Sequence, residues 1–135
     1  MCYNALVKKE VIIIKTVILD IIIKNNEEKI KYSNINANII DNTITFNIED
    51  DNYTMNIDDG VSLHKENNES ILELLFSLNK ETSGTYFIKD MNYNMDARVK
   101  TLELIKTCDS IYVNYKFNLQ EEDLGIYSLN INIKE

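Results

Sequence analysis

The chain has 135 residues, enough for one domain with a sizeable core. Its 22 acidic residues outnumber 14 basic ones, for a net charge of −8. The basic residues are scattered singly or in pairs and Arg98 is the only arginine, so binding to nucleic acid or to an anionic lipid surface is not expected.

In chain order, residues 1–9 read as an N-terminal extension or lid, and 10–134 as the strands of one domain spanning 1–135. The first strong signal is "VIIIKTVILDIIIK", Val11 to Lys24. A membrane-spanning helix needs about 20 mainly apolar residues, and this shorter run is broken by Lys15 and Asp20. No small-residue cleavage site follows it, so it is not a secretory signal, and the protein is expected to be cytoplasmic. Its apolar residues are nearly all Ile or Val, whose branched Cβ suits a pleated strand. At ~3.3 Å per residue such a strand is several times the usual length, so it must bend, at Lys15-Thr16 or at Asp20. Both of its faces are apolar, whereas a barrel interior buries only one. The other face is therefore expected to meet a second copy of the chain, with residues 1–9 as the alternative cover.

After a turn at Asn25-Asn26-Glu27, period two recurs along the chain. Ile30 and Tyr32 alternate, then less cleanly Ile35 and Ala37; Ile44, Phe46 and Ile48 follow, then Tyr53, Met55 and Ile57. Turns of Asp, Asn and Gly separate these runs. "SILELLFSLNK", from Ser70, fits a helical spacing and an alternating one equally well. Met95, Ala97 and Val99 share a parity that slips by one at Leu102 and Leu104, the mark of a bulge. Ile111, Val113, Tyr115, Phe117 and Leu119 then face one way, and after an acidic turn so do Tyr127, Leu129, Ile131 and Ile133. The expected fold class is all-β, a single antiparallel barrel of about 8–10 strands.

"NKETSGTY", "RVKTLELI" and above all "YKFNLQEEDLGIYSLNINI" resemble the bacterial YwiB-like family, from Val61 to the C-terminus. The family's motifs fall on Gly84, Tyr86, Val99, Thr101, Leu104, Tyr115 and Gly125. The resemblance implies a calycin-like (lipocalin-like) β-barrel, makes "SILELLFSLNK" a strand, and implies no activity, since the family has none assigned. Where its pattern has Arg-x-Gly after "VSLH", this chain has Lys65-Glu66-Asn67, with Asn expected to take the left-handed conformation. The family's Pro-Tyr-Gly turn after Tyr86 is replaced by a longer loop, Lys89 to Asn92.

Catalytic signals are weak. Cys2 and Cys108 are too few for a disulfide framework, and Cys108 reads as a small turn residue. The single histidine, His64, excludes His-rich metal sites and reads as a half-exposed strand residue. Acidic clusters at Glu49-Asp50-Asp51, Asp58-Asp59 and Glu121-Glu122-Asp123 lack EF-hand spacing, because the required positions before Gly60 are Met55, Ile57 and Asp59. No metal, cofactor or catalytic constellation is expected. The candidate interior residues are Tyr115, Phe117 and Tyr127, with Arg98 included if the bulge turns it inward. The leading expectation is a non-enzymatic protein-interaction or structural module. The alternative is a carrier or sensor of a small hydrophobic ligand held inside the barrel.

Overall fold

Branched and aromatic side chains on alternate positions produce strands throughout. The computed structural model describes residues 13–58 and 60–134, and every regular element among them is a β-strand. The ten strands are β1 (Ile14–Lys24), β2 (Lys29–Ile40), β3 (Thr43–Ile48), β4 (Asp51–Asn56), β5 (Val61–Glu66), β6 (Ser70–Phe76), β7 (Glu81–Ile88), β8 (Tyr93–Lys106), β9 (Ser110–Leu119) and β10 (Glu122–Lys134). Each pairs antiparallel with the next, and β1 pairs with β10 to close the barrel. Ser70–Phe76, whose spacing fitted helix and strand equally, is a strand. Val11, Ile12 and the proposed lid at 1–9 lie outside the described residues.

The parity expectations hold on the inward face. Val17, Leu19 and Ile21 of β1 are buried, as are Ile44, Phe46, Ile48, Tyr53 and Met55 on β3 and β4. Outward positions are mostly Asn, Thr, Lys and Glu, the reverse of a barrel set in lipid. The outer face of β1 keeps its apolar character: Ile14 is 61% exposed and Ile18 36%, beside Ile40 at 37%.

Bulges set the shape of the barrel. The β1–β2 register shifts between Leu19 and Ile21, so the bend does fall at Asp20, but the extra residue sits on β2 at Ser33-Asn34. Asn34 adopts φ 58°, and its N–H donates to Asp20 Oδ1 at 3.0 Å. Lys134 bridges the pair, 3.1 Å from Asp20 Oδ2 and 3.2 Å from Asn34 Oδ1. This bulge explains the broken alternation between Tyr32 and Ile35. A second bulge, at Leu102 between Thr101 and Glu103, is the parity slip of β8. A third falls between Asp123 and Gly125 on β10. Gly125 has φ +101°, a conformation that favours glycine, and a Cβ there would also push aside the Asn26 side chain from the β1–β2 turn. Left-handed turn positions elsewhere are taken by Asp41, Asn79 and Asn92, which helps a chain with 3 glycines to make so many tight turns. Asn67 does not take that conformation; its Oδ1 instead accepts the N–H groups of Glu69 and Ser70.

The two ends of the barrel differ. At the floor, where β1 begins, Lys106 reaches the carbonyls of Ile57, Asp58 and Gly60 at 3.4, 3.0 and 3.4 Å, one acceptor for each ammonium hydrogen. The interior here is fully packed, with Phe76, Val61, Met55, Val99, Ile111 and Val113 at 0–1% exposure. Towards the mouth, where β1 ends, inward residues such as Ile23, Tyr32, Leu72, Met95, Phe117 and Tyr127 are only partly buried. Truncating Phe76 to Ala should therefore cost about 3–5 kcal/mol, and truncating the half-buried Phe117 should cost roughly half as much, about 2 kcal/mol. Equal losses by denaturant titration would show that the mouth is packed as tightly as the floor.

Candidate functional site

The mouth half of the barrel is lined with aromatic rings placed by strand register. Phe46 and Tyr53 are cross-strand partners stacked at 4.8 Å, with 7° between their planes. Tyr115 and Tyr127 are likewise partners, stacked at 5.8 Å and 18°. Phe117 meets Tyr127 edge-on at 5.7 Å, above Gly125, which leaves room opposite it. Below them Phe76 touches Tyr115 at 4.7 Å, joining the aromatic layer to the packed floor. Such ring pairs are worth about 0.5–1.5 kcal/mol beyond the area they bury.

The hydroxyls of these tyrosines are unusual. Among the described residues no group hydrogen-bonds the hydroxyls of Tyr32, Tyr53, Tyr115 or Tyr127, although Tyr53 is only 7% exposed. They are not sealed from water: Asn114 Oδ1 is the sole described side-chain polar atom that is both inaccessible and unpartnered. The hydroxyls thus face inward with some accessible surface left to them. Burial, then the Asp51 carboxylate and Tyr32, push the Tyr53 hydroxyl well above the ordinary range. Burial, then Tyr127 and Tyr53, do the same at Tyr115. Both remain neutral donors and acceptors at any physiological pH.

One charged pair reaches the same face. Lys65 shares the inward register of Tyr53 and lies 5.7 Å from the centre of its ring and 3.7 Å from Asp51 Oδ2. The rim around this mouth is acidic. The five turns at the mouth, 25–28, 49–50, 67–69, 89–92 and 120–121, carry seven carboxylates and one ammonium, Lys89, and Lys89 is already paired with Glu66 at 2.9 Å.

The outer surface carries a groove at the β2–β3 seam. β2 and β3 pair from Ala37 to Ile40, and residues 29–36 of β2 continue past that ladder. The groove, of ≈ 440 Å³, is lined by Asn34, Ile35, Asn36, Asn38, Thr45, Phe46 and Asn47.

The structure gathers three of the four expected interior residues, Tyr115, Phe117 and Tyr127, into one cluster. Arg98 is not among them. Its partner across β7 is Ser83, and its guanidinium lies outside, 54% exposed, 3.8 Å from Glu81 and 4.0 Å from Asp96. Both neighbours on the inward parity, Ala97 and Val99, are buried, and the bulge lies too far along β8 to rotate it. Tyr32, Tyr53 and Lys65 belong to the site and were not singled out from sequence, although Tyr32 and Tyr53 share the parity of Ile30 and Met55. Cys108 lies in the 107–109 turn, away from this cluster.

His64 faces outward, with Nδ1 at 2.9 Å from Glu73 and Nε2 at 3.3 Å from Glu66. The hydrogen bond that its ring donates to Glu73, then the one to Glu66, raise its pKa above the usual 6.5, against a lowering by partial burial.

No family model and no curated protein sequence matches the chain. Among solved structures, the crystal structure of the ywiB protein from Bacillus subtilis superposes with a TM-score of 0.54 over 88% of this chain and 89% of that one, at 10% identity. The fold is YwiB-like. At that identity the likeness is one of architecture, and it carries no activity to this barrel.

The single imidazole of this YwiB-like barrel makes one test clean. Because its folded pKa is raised, His64 contributes stability that is complete below pH ~6.5 and is lost as pH rises through the folded value. Proton NMR should find His64 titrating above 6.5, and Glu73→Gln should bring it down; an unshifted titration would contradict the network.

Proposed function

We propose that this barrel is a non-enzymatic carrier or sensor, calycin-like in use, that holds a small and largely apolar molecule in its mouth half. The observation that carries the reading is the set of unpartnered tyrosine hydroxyls on an inward aromatic face. Hydroxyls that point inward without a protein partner add nothing to packing, so an interior built only for packing would carry phenylalanine. Polar groups set sparsely in an apolar wall are what orient a ligand.

Two measurements check this. N-phenyl-1-naphthylamine, a neutral apolar probe, should bind saturably with one equivalent per barrel. Tyr53→Phe should weaken that binding while leaving the unliganded melting temperature equal or higher, since only an unpaired hydroxyl is lost. If Tyr53→Phe melts markedly lower and the probe does not bind, the hydroxyl is part of a packed core and the reading is wrong.

A second reading, contact with a second copy of the chain, is favoured by the exposed Ile14, Ile18 and Ile40 on the outer face of β1 and β2. A two-fold pair would cover them. Sedimentation at low micromolar concentration should then show a dimer that Ile18→Lys dissociates without unfolding; a monomer at that concentration would exclude it.

A further inference from the structure

Resting on the carrier reading, we infer that the molecule held in the lumen is a small organic cation: an amine or quaternary ammonium on an apolar body. Three independent features lead there. Aromatic faces attract cations through their negative quadrupole, and a cage of several rings is the usual recognition device for alkylammonium groups. Here Tyr115 and Tyr127 stack side by side and Phe46 and Tyr53 form a second stacked pair, which leaves each ring one face clear of its stacking partner. The unpartnered phenolic oxygens add acceptors, which an ammonium N–H can use.

The protein already performs this recognition on itself. Lys65 turns into the mouth and its ammonium sits over the Tyr53 ring, held there by Asp51. The site therefore tolerates a positive charge against this wall. A carboxylate ligand would have Lys65 as its only inward cation at the mouth, and it would have to compete with Asp51 for it.

The rim decides the sign. The mouth turns carry seven carboxylates against one ammonium that is already paired, whereas the floor-end turns 41–42, 57–60, 77–80 and 107–109 carry four carboxylates and one ammonium. Such a field raises the local concentration of cations and repels anions of equal apolar character. Asp51, the first residue of β4, adjoins the rim turn at 49–50 and lies within reach of Lys65 inside. A cation that displaces the Lys65 ammonium from Tyr53 would inherit both the ring and the carboxylate.

The experiment uses the full chain and three probes that share an eight-carbon tail: octyltrimethylammonium, octan-1-ol and octanoate, each below its micelle concentration. The chain has 8 tyrosines and no tryptophan, so tyrosine fluorescence, to which the four inward rings contribute, follows binding. Octyltrimethylammonium should bind at least tenfold tighter than octanoate, with octan-1-ol between them. Lys65→Met should tighten the cation further by several-fold, because the tethered competitor is gone. Octanoate binding tighter than the cation, or an unchanged or weakened cation affinity in Lys65→Met, would overturn the inference while leaving the carrier reading standing. Failure of all three probes to bind would overturn both.

Discussion

The pairing of β1 with β10 is the constraint on which the rest of the structure depends. Residues Ile18–Lys24 run against Ser128–Lys134, joining the first strand to the last and turning an open meander into a barrel. Without that ladder both strands would be exposed edges, and the inward faces of all ten would be wet. The junction is reinforced at both ends. Lys134 ties β10 to the Asp20–Asn34 bulge, and at the mouth Asn26 packs against Gly125. Because these partners lie more than a hundred residues apart, closure carries a large loop entropy and is expected to be a late folding event.

Closure creates an interior, and residue size divides it. The inward alternation is the same along each strand, but near the floor it presents Val, Ile, Met and Phe76, while near the mouth it presents tyrosines and Phe117. Strand length sharpens the division. β3, β4 and β5 have 6 residues each, whereas β2, β8 and β10 have 12, 14 and 13. The long strands overshoot the short ones.

Much of this was legible in the sequence, and the limits have physical reasons. Side-chain parity has a period of two, so it exposed nearly every strand and also the β8 bulge, where Leu102 breaks step. Ser70–Phe76 was ambiguous because its leucines satisfy both periods, and the strand wins through its neighbours β5 and β7. Arg98 lay on the outward parity from the start; the bulge acts only beyond Thr101. Two properties have no one-dimensional signal. Which turns gather at which end follows from barrel closure, so the acidic rim emerges only in three dimensions. Whether a tyrosine hydroxyl finds a partner depends on what stands across the lumen, and parity shows only that it points inward.

The central claim is that the tyrosine-lined half of the barrel is an occupied-or-empty lumen and not a packed core. Fluorine NMR of protein labelled with 3-fluorotyrosine tests it directly, using the neutral naphthylamine probe. Saturating probe should move the resonances of the inward Tyr32, Tyr53, Tyr115 and Tyr127 and leave that of the outward Tyr112 in place. Resonances of the four that stay fixed while Tyr112 moves, or that do not respond at all, would contradict it.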